Sequence, residues 1–210
     1  MNNEEINVAG LLTSLTEPFD PYSYEYFEQL KSREIFINGE VDERCARYAQ
    51  LILRWNSEDR NNKLSANDRI PIRIYISSVG GDSYSANALI GAIQCSVTPI
   101  FTIAMGACCS AGANIFIAPK PANRYMLPYT TILFHRGYSG IDGTLSDIAQ
   151  YGEYMAQDIQ RDIAYISAQT KISKKLLAEY KDKDMWMFPD EALKMGVTGK
   201  VAKTVDELPI

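Results

Sequence analysis

A nearly unbroken apolar stretch that ends in a run of very small residues constrains the fold of this chain most strongly. The stretch covers residues 99–105 (PIFTIAM), and GACCSAGA follows it directly at residues 106–113. A strand this apolar is typical of a central strand that is buried on both faces of a parallel sheet. The small residues after it allow a sharp turn of the backbone and the close approach of another segment. The sequence therefore predicts a buried strand that leads directly into a helix.

Three further apolar segments have the length and composition of strands. They are residues 34–38 (EIFIN), 72–76 (IRIYI) and 130–134 (TTILF). After the first of them, apolar side chains recur at spacings of three and four, the period of an amphipathic helix: Val41, Cys45, Tyr48, Ile52 and Trp55. Strands that alternate with helices predict a parallel sheet with right-handed crossovers, so the predicted fold class is α/β.

The segments between these elements predict a loop, a capped helix and an arm. The Asn-rich segment 56–68 predicts a surface loop. Ser83 is positioned to cap a helix that runs through an Ala-rich stretch to about Cys95. The first residues, up to about Tyr24, lack a steady period and predict an N-terminal arm.

Residues 144–170 predict one long helix. Thr144 and Asp147 have the spacing of a capping box, and an apolar stripe follows them: Ile148, Met155, Ile159, Ile163 and Ile166. At 1.5 Å per residue the helix would span about 40 Å, longer than most helices in a compact domain. We expect it to project from the domain and to pack against another subunit. Two helices with a break near Gly152 are the alternative.

Composition and charge argue against several function classes. The chain has 210 residues, of which 46% are hydrophobic and 22% charged, as is ordinary for one globular domain. A net charge of -5 without a cluster of Lys and Arg predicts no nucleic-acid partner. The opening residues lack the basic and apolar segments of a secretory signal, and no apolar run approaches the ~20 residues of a membrane helix. We expect a cytoplasmic protein with no membrane partner and no cofactor.

The cysteine pattern gives no indication of a metal site or a disulfide framework. Cys45, Cys95, Cys108 and Cys109 do not form a CxxC pair, so we expect no zinc or other metal. Without a secretory signal, disulfides are not expected either. We predict four reduced thiols that serve as small buried hydrophobic residues.

The small-residue run places a serine at the junction of a strand and a helix. Ser110 lies between a cysteine and Ala111. At such a junction the first backbone N–H groups of the helix can stabilise a developing negative charge, which acyl transfer requires. A serine that only caps a tightly packed helix is the alternative, and the motif alone leaves both possibilities open.

The chain contains one histidine, His135, which follows segment 130–134 at the start of a Gly-rich loop. A Ser-His mechanism needs an imidazole as general base, so the chain offers one candidate, with a structural histidine as the alternative. Gly80 and Gly81 follow another strand and suit an oxyanion hole, a phosphate site or only a turn. Spacing cannot choose an orienting acid among the 26 Asp and Glu residues.

Taken together, these segments resemble the ClpP family, the proteolytic subunits of ATP-dependent Clp proteases, over roughly residues 26–201. The family's strand-and-glycine motif, usually ending SPGG, appears here as IYISSVGG. Its nucleophile motif, typically G-x-A-A-S-M-G-A, appears as GACCSAGA, and its histidine motif, typically M-I-H-Q-P, appears as LFHRG. The segment from Gly80 to Asp184 aligns with the family without a gap.

The resemblance implies a serine endopeptidase that cleaves unfolded polypeptides. Its catalytic residues would be the nucleophile Ser110, the general base His135 and the orienting acid Asp184. Asp182 lies close enough in sequence to compete with Asp184. The oxyanion hole would be formed by the backbone amides of Gly81 and Ala111.

The resemblance also implies a fold, an assembly and a partner. The fold would be a ClpP/crotonase-type superhelix of repeated β-β-α units in one domain, residues 26–210, preceded by an axial arm over residues 1–25. The long helix 144–170 resembles the handle through which two heptameric rings stack around a chamber. An AAA+ unfoldase would feed this chamber, and it docks in the family on apolar positions that correspond here to Tyr75, Met105, Tyr125 and Leu127.

Several positions depart from the family pattern and suggest a divergent member. Val79 replaces a proline, Arg136 and Gly137 replace Gln-Pro, Ala111 replaces a methionine and Cys95 replaces an aromatic residue of the docking surface. Three alternatives to a Ser-His-Asp protease remain. They are a crotonase-type enzyme acting on an acyl-CoA carbonyl, a Ser-Lys peptidase in which His135 is idle, and a non-catalytic subunit of a Clp-like complex.

Overall fold

The computed structural model of the protein describes residues 21–137, 140–180 and 183–209, which fold around a largely parallel sheet. Its strands are β1 (Glu34–Val41), β2 (Ile72–Gly81), β3 (Ile100–Cys109), β4 (Arg124–Met126), β5 (Thr131–Phe134), β6 (Met185–Met187) and β7 (Lys200–Val201). The order β1-β2-β3-β4-β7 is parallel throughout. β5 pairs in parallel with the end of β3, and β6 pairs antiparallel with β5. The predicted α/β class is confirmed.

Helices connect most of these strands. They are α1 (Pro21–Lys31), α2 (Arg44–Asn61), α3 (Ser83–Cys95), α4 (Ala111–Phe116), α5 (Leu145–Gln169), α6 (Lys174–Glu179) and α7 (Pro189–Lys194). On β2 the alternating residues Ile72, Ile74 and Ile76 are fully buried, because successive side chains of a strand point to opposite faces. They form one core with the apolar sides of α2, α3 and α4.

The opposite face of the sheet is only partly covered. Phe36 of β1 stacks on Tyr75 of β2 with ring centroids 4.6 Å apart, and Phe101 of β3 meets Tyr125 of β4 edge to face at 6.1 Å. All four rings are half-buried. The prediction that residues 99–105 are buried on both faces is therefore wrong, because part of that strand lies on the open face.

Helix α5 confirms the predicted long helix and its capping box. The N–H of Asp147 donates to Thr144 Oγ1 at 3.3 Å, and the Asp147 carboxylate accepts from the N–H of Thr144 at 2.9 Å. The helix continues through Gly152 without a break. Its C-terminal half packs on the core through Ile163 and Ile166, whereas its first turns are exposed and project from the domain.

The predicted start of a loop at residue 56 and the predicted helix cap at Ser83 are both wrong. In each case the polar side chain of a neighbouring aspartate forms hydrogen bonds that the sequence does not show. Residues 56–61 continue helix α2 instead of starting a loop, since Asp59 turns inward and is buried. The cap of α3 is Asp82, whose carboxylate accepts from the N–H of Ser85 at 2.7 Å. Ser83 is consequently the first residue of the helix and not its cap.

The cysteines follow the prediction at three of four positions. Cys45, Cys108 and Cys109 are buried, whereas Cys95 ends α3 and is exposed. Burial raises the pKa of Cys45 to about 11 and also raises the pKa values of Cys108 and Cys109. Because the thiolate is the nucleophile, these three thiols lose reactivity in addition to being shielded.

We expect one fast-reacting thiol in the native protein. Maleimide at pH 8, read by intact mass, should modify Cys95 at least about 100-fold faster than Cys45, because Cys95 is exposed whereas Cys45 is buried and burial raises its pKa to about 11. Unfolding in guanidinium should make all four thiols equivalent. The Cys95→Ser variant is the control and should lose the fast phase. A second fast thiol in the native protein would contradict the burial described above.

Candidate active site

Ser110 occupies the sharp junction between β3 and α4 that the sequence predicted. Its φ of 54° and ψ of -124° place a non-glycine residue in a region that costs about 1–3 kcal/mol. Its N–H donates to the carbonyl of Leu133 at 2.8 Å, which ties the junction to β5. A strained strand-to-helix turn of this kind exposes the hydroxyl of a serine nucleophile at the end of a sheet.

The glycine pair at the end of β2 makes room for this junction. Gly80 has a φ of 101°, and a Cβ there would lie 2.6 Å from Cβ of Ser110. Its N–H donates to Ser78 Oγ at 3.1 Å. Gly81 has a φ of 150°, and a Cβ there would collide with the backbone of Val41 in β1. Both positions therefore require glycine, one of them because Ser110 lies against it.

Strands β5 and β6 place the candidate base opposite the candidate acid. Their antiparallel register pairs Phe134 with Met185, so the next residues outward, His135 and Asp184, face each other. His135 Nδ1 lies 4.0 Å from Asp184 Oδ1, which is longer than a hydrogen bond. Asp182, the competing choice, lies outside the described residues.

A cleft of about 630 Å³ opens between α3, the β3–α4 junction and α5. Gly81, Ser110, Ala111 and His135 all line it, and Asp184 lies behind the imidazole. Ala111 is the first residue of α4, so its N–H has no acceptor within the helix. Within the described part of the chain, Ser110 Oγ makes no hydrogen bond to His135. In free enzymes such bonds are often long and tighten with substrate.

The sequence did not reveal a group of polar side chains that forms one wall of the same cleft, where α4 meets α5. Asn114 Nδ2 donates to Asp162 Oδ1 at 2.9 Å, and the Tyr165 hydroxyl donates to the carbonyl of Asn114 at 2.8 Å. Burial raises the pKa values of Asp162 and Tyr165. No local pattern could have revealed this contact, because it joins α4 to α5 across 48 positions of sequence.

The described ranges contain neither a candidate metal site nor a candidate membrane-spanning helix. No cluster of His, Cys, Asp and Glu in them is arranged to hold a metal ion. None of their helices combines the length and apolar character needed to cross a membrane.

The sequence matches a known family along most of its length. A family model described as Clp protease covers residues 20–205. The chain belongs to the Clp protease family. ATP-dependent Clp protease proteolytic subunit 2 of Borreliella burgdorferi is 34% identical over 182 residues, which are 85% of this chain and 87% of that protein. Proteolytic subunit 2 of Pseudomonas aeruginosa is 31% identical over 185 residues, 86% of either chain.

A solved structure agrees with the family assignment. The chain superposes on a variant of ClpP1 from Listeria monocytogenes with a TM-score of 0.71, at 22% identity, over 85% of this chain and 96% of that one. This similarity confirms the ClpP fold that the motifs implied. As a member of the Clp protease family the chain is a serine-type peptidase, which favours peptide hydrolysis over the acyl-CoA and non-catalytic alternatives.

Proposed function

We propose that this Clp protease family chain cleaves peptide bonds through Ser110, with His135 as general base and Asp184 as the acid that orients the imidazole. The supporting observation is the strained junction that presents Ser110 to the same cleft as His135. The register of β5 and β6, which sets Asp184 opposite His135, supports the choice of acid. Asp184 would hold the imidazole in the tautomer that accepts the serine proton.

The proposed reaction has two halves that use the same groups. Ser110 Oγ attacks the carbonyl carbon of the scissile bond while His135 takes its proton. The tetrahedral intermediate collapses, and His135 passes the proton to the departing amine, which leaves an acyl ester on Ser110. Water then attacks the ester with His135 again as base. The carboxylic acid product leaves, and the proton returns to Ser110 Oγ.

The oxyanion that forms in each half would lie between two backbone amides. Ala111 supplies an N–H from the start of α4, and the helix N-terminus adds a favourable dipole. Gly81 supplies the other amide from the end of β2. Backbone donors that are fixed before the reaction cost no reorganisation when the charge develops.

We further propose that the chain works as stacked, heptameric rings that an AAA+ unfoldase supplies with unfolded polypeptide in the cytoplasm. The names of the relatives describe subunits of an ATP-dependent protease, which supports an ATPase partner. Helix α5 exposes apolar side chains at its projecting end, which supports stacking of rings. Leu145 is 87% exposed and Ile148 44% exposed, as suits a helix that packs on a second ring. The half-buried face that carries Tyr75 and Tyr125 would dock the unfoldase together with Met105 and Leu127.

The N-terminal arm is a further part of this proposal. Most of the predicted axial segment, residues 1–25, lies outside the described residues, which begin with helix α1 at residue 21. The division into this arm and one protease domain over residues 26–210 therefore stays a prediction.

Covalent labelling tests the proposed nucleophile. A fluorophosphonate probe should form one adduct per chain, which peptide mapping locates on Ser110, and the Ser110→Ala variant should form none. Light scattering on the same sample should give a multimer far above the 23.5 kDa of one chain. An adduct on another residue, or an oligomer that leaves Ser110 unlabelled, would contradict the assignment.

A further inference from the structure

The cleft contains a second set of polar groups, one helical turn beyond Ser110. Asn114 lies on α4, and its N–H donates to the carbonyl of Ser110 at 3.0 Å. Its side-chain amide donates to Asp162 Oδ1 at 2.9 Å, and Tyr165 donates to its carbonyl. These contacts fix the Asn114 and Asp162 side chains at the wall that α4 and α5 share.

Two acceptors of this wall have no donor among the described residues. Asn114 Oδ1 is buried and accepts no hydrogen bond. Asp162 uses one carboxylate oxygen for the amide of Asn114 and forms no ion pair with any described Lys, Arg or His. A buried acceptor without a donor is unfavourable, and a carboxylate without a cation more so. The wall therefore suits a ligand that brings donors and a positive charge.

Among the described residues, the other charged groups of the cleft form no hydrogen bond or ion pair with Asp162. Asp82 is engaged at the cap of α3, and Asp158 lies one turn before Asp162 on α5. Arg136 and Arg161 also line the cleft. Arg136 acts on the pKa of Asp162 from a distance, lowering it against the larger effect of burial, but does not contact the carboxylate. A cation in the pocket would meet Asp158 and Asp162 of α5 in a cleft that Arg136 and Arg161 also line.

We propose that this pocket receives the side chain of the substrate residue whose carbonyl Ser110 attacks, and that Asp162 and Asn114 select lysine or arginine there. This inference rests on the proposed role of Ser110. A lysine or arginine carries its charge on a long apolar stem. Its charged end would reach the Asp162 carboxylate, which Asn114 holds in place, while its stem would pack on Met155, Ile159 and Ile163, which line the cleft.

Peptide substrates that differ only at this position test the inference. We would measure kcat/KM for matched fluorogenic peptides with lysine, arginine, leucine or norleucine, which keeps the lysine stem without its charge. Lysine and arginine should be preferred over norleucine by about 10–100-fold, the range expected when a half-buried carboxylate accepts a hydrogen bond from a charged donor. Asp162→Asn should reduce the ratio of lysine to norleucine by a similar factor. The exposed control Asp190→Asn should leave this ratio unchanged.

Fluorophosphonate labelling separates failure of this inference from failure of the proposed function. If Ser110 is labelled but norleucine or leucine is cleaved at least as well as lysine, the basic pocket is wrong and the nucleophile stands. If Asp162→Asn leaves the ratio of kcat/KM for lysine to that for norleucine unchanged, the basic pocket is likewise wrong and the nucleophile stands. If Ser110 is not labelled and no peptide is cleaved, the proposed function and this inference both fail. The preference for lysine over norleucine is measured on the parent protein. It therefore tests the inference even if Asp162→Asn does not fold.

Discussion

Replacement of His135 by alanine should lower peptide hydrolysis by about 10⁴–10⁶-fold, the loss found when one member of a serine-protease triad is removed. Ser110→Ala should cause a loss of the same order. The double variant should be no slower than either single variant, because the two side chains act as one unit and their effects are not additive. Initial rates with a fluorogenic peptide, measured at high enzyme concentration, would check all three.

The pattern among these variants is more informative than any single rate. If lysine were the base, His135→Ala would cost little, and the Ser-Lys alternative would replace the one proposed here. If the double variant were far slower than both single variants, serine and histidine would act independently. Ser57→Ala, on the surface helix α2, is the control for serine removal and should keep the full rate. Circular dichroism and light scattering should show that each variant folds and assembles as the parent does.

Much of this site could be predicted because its residues lie in short, contiguous motifs. Ser110 follows an apolar strand and is surrounded by small residues, so the strand-to-helix junction was visible in the sequence. His135 was the one histidine available. The local sequence cannot show why position 80 requires glycine. The reason is Ser110, which is 30 positions away in sequence and lies against Gly80.

The proposed orienting acid, Asp184, could not be identified from local sequence patterns. Asp184 directly precedes β6, a strand of three residues that is too short to carry a periodic pattern. Its position opposite His135 follows from the antiparallel register of β5 and β6, which is a property of the folded sheet. Family resemblance selected Asp184 by alignment, and the register supplies a physical reason for that choice.

The end of helix α2 was missed for a similar reason. The polar segment after Trp55 looks like a loop, since buried polar residues are uncommon. Asp59 is buried because Arg33, 26 positions earlier, donates two hydrogen bonds of 2.7 Å to its carboxylate. Thr98 donates a third, also of 2.7 Å. A helix that turns a carboxylate inward can be recognised only when its distant cation is known.

This buried ion pair should be one of the largest single contributions to the stability of the chain. Asp59→Asn should lower the free energy of unfolding at pH 7 by about 3–5 kcal/mol, because it leaves the Arg33 guanidinium buried without its counter-charge. The double variant Arg33→Met with Asp59→Leu should recover more than half of that loss, since no charge then remains buried. Urea unfolding gives the three free energies, and the exposed neighbour Glu58→Gln is the control and should change little.

Acid titration separates loss of this ion pair from a change in packing. The hydrogen bonds from Arg33 hold the pKa of Asp59 below its ordinary value of 3.8, although burial opposes them. A carboxyl whose pKa is lower in the folded state stabilises the protein above the unfolded pKa and loses this effect as the pH falls through the folded value. The gap in unfolding free energy between the parent and Asp59→Asn should therefore be constant from pH 7 to about 5 and narrow below pH 3.8. A gap that stayed the same down to pH 2 would mean that Asp59 contributes through packing and not through its charge.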